Sequence, residues 1–372
     1  MSHRLGYPPA LPTPVMQPTS IGAMSNTPTI AFLGPRGTFT EQAALEFLRA
    51  GQVPGVPASS VGTDPESAAT LEPRTSPAEA LGALREGQAD YAVIALESSV
   101  DGPVAQAEDA LVTGDRVQIL AELLVPIRFA IGVRAGEAER LQGSGAAAVG
   151  AEAPVFSTHP VAEAQVRGWV AENLPEVQFS PAPSNAAAAQ AVAEGRADIC
   201  AAPLRALEIY GLEAIATDVA DVAEAFTRFA LVSRPVPPAP RTGHDRTGVA
   251  FTAQHDRPGS LIYALQQLSL RGVNLTRISS RPTRELLGTY VFHIEMIGHI
   301  EDSAVAAALQ GLQRESSWIR YLGSWPLATA PRGVDEEHLV KILGNVTSET
   351  PDEGPSERWL ADMMNPAEDH RA

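Results

Sequence analysis

The sequence predicts an α/β protein made of two unlike units, and three observations carry that prediction. Buried-strand runs alternate with helical stretches from residue 28 to about residue 234. A proline-rich segment, Arg234-Pro235-Val236-Pro237-Pro238-Ala239-Pro240, then breaks the pattern. Beyond it, the order of predicted elements from about Thr247 to Trp325 is βαββαβ, which is the ferredoxin-like arrangement.

The elements follow in order. Residues 1–27 are rich in Pro, Ser and Thr, lack the apolar core of a signal peptide, and are expected to form a disordered leader. Thr29-Ile30-Ala31-Phe32-Leu33 reads as a buried strand. Gly34-Pro35-Arg36-Gly37 turns the chain, and Thr38 with Glu41 has the spacing of a capping box at a helix start. A helix is predicted at Ser76–Arg85, a strand at Tyr91–Leu96, a helix at Ala105–Val112, and strands at Val117–Val125 and Arg128–Val133. Val155–His159 reads as a strand, Ala162–Asn173 as a helix, Ser184–Glu194 as an alanine-rich helix, and Ala197–Ala202 as a strand. Phe226–Val232 is the last strand of this unit. Such alternation predicts mainly parallel sheets.

In the second unit, strands are predicted at Gly248–Ala253, Val273–Arg281, Gly288–Ile297 and Ile319–Trp325. Helices are predicted at Gly259–Arg271, with Pro258 at its start and Gly272 at its stop, and at Asp302–Arg314. Residues 327–372 form a polar, acidic tail with a short helix expected around Ser356–Met364. The domain boundaries expected are therefore 28–234, a linker at 235–246, and 247–326.

Composition narrows the function. The chain has 372 residues, 44% hydrophobic and 19% charged, which suits a soluble protein with a sizeable core. A net charge of −17 argues against nucleic acid or an anionic membrane as partner, and it requires a local basic pocket for any anionic substrate. Cys200 is the single cysteine and sits in the apolar run Ile199-Cys200-Ala201-Ala202, so it reads as a core residue in a reducing compartment. No run approaches the ~18 apolar residues of a membrane span, and a cytoplasmic location is expected. No metal-ligand spacing and no nucleophile elbow occur, so neither a metal, nor another cofactor, nor acyl transfer is expected.

Five segments carry polar residues suited to a small anion. Phe226-Thr227-Arg228-Phe229 places a hydroxyl and a guanidinium side by side on a strand. Gly34 to Glu41 places Thr38 at a helix N-terminus, where the helix dipole favours an anion. Ala95-Leu96-Glu97-Ser98-Ser99 follows a strand, and its Glu97 suits a base, an acceptor or a structural anchor. Ser157-Thr158-His159-Pro160 with Gln165 one turn on, and Ser184-Asn185, open two more helices. His159 suits a general base or a turn residue, and Ser184 suits an anion contact or a helix cap.

Together these segments resemble the prephenate dehydratase family, over about Thr29 to Trp325, and they are most similar to actinobacterial members. The motifs are Gly34-Pro35 to Glu41, Glu97 to Ser99, His159-Pro160 with Gln165 and Trp169, and Tyr210 with Asp221 and Thr227-Arg228-Phe229. Arg257-Pro258-Gly259-Ser260-Leu261 and Asn274 to Pro282 make the second unit resemble an ACT domain. The resemblance implies a two-lobed catalytic domain of the periplasmic-binding-protein type followed by a regulatory ferredoxin-like domain. It implies a hydro-lyase that converts prephenate to phenylpyruvate with loss of water and carbon dioxide. Thr227, Arg228 and Glu97 would be catalytic, with Thr227 donating a hydrogen bond to the departing hydroxyl and Arg228 pairing with a substrate carboxylate or holding the Thr strand. Thr38, Ser98, Ser99, Thr158, Gln165, Ser184 and Phe229 would line the substrate. Phenylalanine would bind as a feedback effector through Gly259, Ser260, Leu261, Asn274, Leu275, Ser279 and Arg281, between subunits of a homodimer or homotetramer. Four positions depart from the family pattern. Ser98 stands where Asn is usual, Ala225 replaces an Asn, Thr158 replaces a Ser, and Ser279 replaces a Glu. The competing readings are arogenate dehydratase and a non-catalytic two-lobed protein that binds an amino acid or anion.

Overall fold

The computed structural model describes residues 27–62, 64–138, 153–222, 224–254, 258–284 and 288–328. The leader up to residue 26, Arg257, and the tail from residue 329, with its expected helix at Ser356–Met364, lie outside the described residues. Among the described residues no helix is long and apolar enough to cross a membrane.

Short apolar runs form three separate sheets. The first sheet holds β1 (Thr29–Leu33), β2 (Thr70–Arg74), β3 (Tyr91–Ser98), the two-residue β4 (Gly102–Pro103), β5 (Gln118–Pro126) and, from much later in the chain, β11 (Phe226–Ser233). Its order is β2-β1-β3-β11-β5, with β4 on β3. The second sheet, ordered β10-β6-β9-β7-β8, holds β6 (Ala130–Arg134), β7 (Val155–Thr158), β8 (Gln178–Pro181), β9 (Ile199–Ala202) and β10 (Leu212–Thr217). The expected parallel character holds for β1 with β2 and β3 and for β7 with β8 and β9. It fails for β11, which runs antiparallel to both β3 and β5, and for β6, antiparallel to β9 and β10. The cause is topological: the chain leaves the first sheet after β5 and re-enters it as β11 from the other lobe.

Helices cover these sheets with the faces their sequences dictate. In α1 (Phe39–Arg49), Phe39, Ala43, Phe47 and Leu48 fall on one side and pack into the first core. Thr38 caps it by accepting from the Glu41 amide at 3.3 Å. Glu41 does not close the capping box on Thr38; its carboxylate turns to the Gly37 amide at 2.6 Å. The four-residue α2 (Ala58–Val61), α3 (Pro77–Arg85) and α4 (Ala105–Val112) complete this lobe. The second lobe carries α5 (Pro160–Asn173), α6 (Asn185–Ala193) and α7 (Leu204–Tyr210).

The third sheet is built from β12 (Asp245–Ala253), β13 (Leu275–Pro282), β14 (Tyr290–Ile297) and β15 (Ser316–Pro326), with α8 (Ser260–Ser269) and α9 (Ser303–Arg314) on one face. Its order, β13-β14-β12-β15, is that of a ferredoxin-like unit. The helix-free face lies on the first lobe. Ala250, Leu322 and Trp325 join the apolar core that includes Ile94, Leu96, Leu111 and Ile119. Contact is tight enough that a Cβ on Gly323 would come within 2.4 Å of the Ile119 carbonyl.

Buried His293 on β14 is part of this contact, and its Nε2 has no hydrogen-bond partner among the described residues. Burial pushes its imidazole down to about 4, partly opposed by Glu108. An unfolded histidine takes up its proton near pH 6.5, so as the pH falls from there the unfolded state binds the proton first. Stability is therefore expected to decline between about pH 6.5 and 4, by about 2–3 kcal/mol from this group. Urea melts of the parent and of His293→Gln across that range check this. A slope unchanged by the substitution would refute it.

Candidate active site

The cleft lies where the chain crosses twice between the first two sheets. One crossing is Ile127-Arg128-Phe129, and the other is the segment before Phe226. Backbone bonds tie them together, Ile127 N to the Ala225 carbonyl at 2.8 Å and Val219 N to the Phe129 carbonyl at 3.3 Å. Between the lobes they leave a cavity of about 630 Å³. On one rim the lobes touch directly. Arg205 of α7 reaches Glu41 of α1 at 3.1 Å and also bonds Glu66. A Cβ on Gly37, whose φ is +86°, would come within 2.9 Å of the Ala206 Cα.

The central strand β11 supplies Thr227 and Phe229 to the cleft, and the alternation of a strand sends the intervening Arg228 to the opposite face. The neighbouring β3 is less regular. Thr227 pairs with Ser98 and Arg228 with Glu97, but Phe229 pairs with Ala95, so Leu96 is an extra residue and the pair is bulged. The bulge changes parity along β3. Ala95 and Ser98 both face the cleft, while Glu97 faces away with Arg228.

Six of the expected residues converge on this cavity: Thr38, Ser98, Gln165, Ser184, Thr227 and Phe229. Thr38 and Ser184 sit at the N-caps of α1 and α6, and with His159 at the N-cap of α5 three helix N-termini face the same space. The Ser98 hydroxyl accepts from the Val100 and Asp101 amides at 3.2 and 3.3 Å, which leaves its proton for the cleft. Buried Gln165 donates to the Val161 carbonyl at 3.3 Å, and its Oε1 has no partner among the described residues. No side-chain hydrogen bond engages the Thr227 hydroxyl among the described residues.

Four expected residues lie elsewhere. Ser99 accepts from the Phe226 amide at 2.9 Å and pins the start of β11. Thr158 is fully buried and donates to the Ala201 carbonyl at 2.7 Å. Arg228 and Glu97 are on the far side of the sheet. Arg228 is 4% exposed and gives its fork to Glu295 of β14 at 2.8 and 2.9 Å, with Glu122 at 2.8 Å and Glu97 at 3.2 Å. Of the two expected roles of Arg228, contact with a substrate carboxylate is thereby corrected, and holding the Thr strand is the one its position allows. The guanidinium faces the third sheet because adjacent residues of a strand point to opposite faces and Thr227 faces the cleft.

Three titratable residues also line the cavity. Arg74, at the end of β2, is the sole guanidinium or ammonium among the described lining residues. One of its nitrogens bonds Glu72, and its buried Nε has no partner among the described residues. Its approach depends on the β1–β2 pairing, which local sequence does not show. His159 accepts from the Val161 amide at 3.3 Å through Nδ1 and so caps α5. Burial holds its imidazole below the ordinary value, partly offset by Asp101, which also lines the cavity. The thiol of Cys200 is in the core, not the cleft, and burial pushes it up to about 12.

Of the residues expected to bind an effector, Gly259, Ser260 and Leu261 open α8, while Asn274 and Leu275 lie past its other end. Ser279 and Arg281 are turned to the helix-free face and held by α4. Ser279 donates to Glu108 at 2.6 Å, and Arg281 forks onto Asp109 at 2.9 and 3.0 Å. Their expected place in one effector site with Gly259–Leu261 is corrected, since strand alternation sends residues 277, 279 and 281 to the first lobe.

Comparison with known proteins gives a consistent picture. The family model described as prephenate dehydratase matches residues 30–237. A prephenate dehydratase of Mycobacterium sp. (strain JLS) is 46% identical over 303 residues, covering 82% of this chain and 90% of that protein. The crystal structure of a prephenate dehydratase from Arthrobacter aurescens in complex with L-Phe aligns with a TM-score of 0.69 and 37% identity, over 91% of this chain and 99% of that one. A protein described as a quorum-quenching acylase, GqqA, aligns with a TM-score of 0.65 and 28% identity, over 81% of this chain and 98% of that one.

Proposed function

The chain belongs to the prephenate dehydratase family, a hydro-lyase family, and on that premise we propose that the Thr227 hydroxyl assists the departing hydroxyl of prephenate in the cleft between the lobes. The reaction expels water and carbon dioxide and forms an aromatic ring, so it runs strongly downhill. The protein needs no potent acid. It needs to hold a dianion in one pose and to hydrogen-bond the leaving group. The observation that carries the reading is the convergence of Thr227, three helix N-termini and one cation on a single cavity. Thr227 and its strand partner Ser98 offer adjacent hydroxyls from the sheet. Phe229, Ile127 and Phe129 form an apolar wall that suits a six-membered ring turning aromatic.

Arg74 is the residue we assign to a substrate carboxylate. It supplies the local positive charge that a net charge of −17 makes necessary. Arg74→Gln is expected to raise KM for prephenate about 10- to 100-fold, the scale of one charge-assisted hydrogen bond, with a smaller effect on kcat. A KM equal to the parent's would remove Arg74 from the site. Appearance of the ultraviolet absorbance of phenylpyruvate on adding prephenate, with arogenate in parallel, tests the substrate directly. Turnover of arogenate alone would favour the aminated substrate.

The ACT-like unit is proposed to bind L-phenylalanine as a feedback effector. The observation that supports this is the placement of Gly259–Leu261 and Asn274–Leu275 at opposite ends of α8. A ten-residue helix is about 15 Å long, too far for one amino acid to touch both ends within one chain. A second copy would bring the two sets together, and the exposed Ile262, Tyr263 and Leu270 offer apolar surface for it. A homodimer or homotetramer, working in the cytoplasm, follows from this reading. Calorimetry with L-phenylalanine and sedimentation with and without it test both parts.

A further inference from the structure

The charged layer between the first and third sheets joins the reacting strand to the ACT-like unit. Arg228 immediately follows Thr227 on β11, and its guanidinium is held from two domains. Glu97 and Glu122 come from its own sheet, and Glu295 comes from β14. Only Glu295 engages it through both oxygens, at 2.8 and 2.9 Å. Glu295 is in turn held by Arg246 at 3.0 Å and Arg277 at 3.3 Å, both on the third sheet. It is 5% exposed, so its position is set by these partners and not by solvent.

The backbone beside this pair is interrupted on one side: β11 keeps its register with β5 from Phe226 to Leu231, but not with β3. The β3 bulge falls between the partners of Arg228 and Phe229, so of the two ladders that hold Thr227 the one to β3 is interrupted one residue away. The side-chain clamp on Arg228 adds a constraint on the strand at the bulged side. We propose that Glu295 is a positioning residue for the dehydration: by clamping Arg228 from the ACT-like unit, it sets where the neighbouring Thr227 hydroxyl stands in the cleft. This rests on the role proposed above for Thr227. It makes the ACT-like unit part of the turnover machinery even with no effector bound. Glu295 itself lies across the sheet from the cleft and, among the described residues, bonds none that line the cavity, so it governs kcat and leaves substrate binding alone.

Glu295→Gln is the informative variant. It keeps the side-chain shape, and it leaves Arg228, Arg246 and Arg277 facing Glu97, Glu108 and Glu122, a balanced set that favours a folded product. The expected result is a kcat lowered about tenfold or more with KM for prephenate within about twofold of the parent, the split expected when a transition-state contact is misplaced. Asp109→Asn is the control, because it loosens the same two domains at the Arg281 and Arg284 pairs, away from Thr227. It is expected to turn over like the parent. If circular dichroism shows Glu295→Gln unfolded, Glu295→Asp keeps the charge, withdraws it by one methylene, and is expected to show the same kcat loss. Parental kcat in the folded Glu295 variant, or an equal loss in Asp109→Asn, would overturn the proposal. Thr227→Ala measured alongside separates the two ideas: if it retains turnover, the role of Thr227 fails whatever Glu295 does.

Discussion

Thr227→Ala is expected to lower kcat by at least about 10²-fold, the scale of losing one donor aimed at developing charge. The fold should be untouched. Thr227 makes no side-chain hydrogen bond to a described residue, and its backbone ladder to Ser98 and Val125 does not need the hydroxyl. KM should change little, because the carboxylates of the substrate are held by other groups. Thr227→Ser is expected to recover much of the loss, since it restores the hydroxyl at the same atom. Steady-state kinetics on the folded variants measure this. Near-parental turnover in Thr227→Ala would remove the hydroxyl from the mechanism.

Arg228→Ala is expected to behave quite differently, although the two residues are adjacent. It removes the cation from a buried cluster that holds Glu122 and Glu295, leaving carboxylates short of a partner. Breaking one side of such a set costs about 3–5 kcal/mol. Burial opposes the charge on Glu295, but Arg228, Arg246 and Arg277 overcome it and bring the carboxyl down to about 2, which shows how strongly the arginines hold it. A carboxyl depressed in this way contributes stability above its unfolded pKa and loses it as the pH falls towards 2, so the penalty of Arg228→Ala should be largest near neutral pH. Arg228→Lys keeps the charge without the planar fork and should fall between. Urea melts at pH 7 read the difference. A variant within about 1 kcal/mol of the parent, less than a buried ionic contact is worth, would show that the cluster is not holding the two domains.

Much of this was legible from residue identities. The Thr29–Leu33 strand, the capped helix at Thr38, the proline-rich break and the βαββαβ order each follow from local patterns. Thr38, Ser98, Gln165, Ser184, Thr227 and Phe229 were expected in one cavity, and they do share one. The misplacements have a common source. Glu97 looks like a strand-end base in sequence, and simple alternation would put it on the same face as the cleft-lining Ala95. The bulge at Leu96 reverses that parity. Bulges arise from how two strands register, and Phe226–Ser233 lies more than a hundred residues from Tyr91–Ser98. Ser279 and Arg281 were misplaced for a related reason: which face of the third sheet is covered by the other domain cannot be read from one strand.

By itself, then, the sequence determined the family, the order of the elements and the chemical groups available, because those depend on residue type and spacing along the chain. The tertiary structure alone decided which groups face the cleft. It turned Thr227 to the cleft and Arg228 to Glu295, brought Arg74 to the cavity from a β2 strand that local patterns did not reveal, and set Ser279 on Glu108. The physical reason is that facing depends on strand pairing, bulges and domain contact, which are interactions between residues remote in sequence.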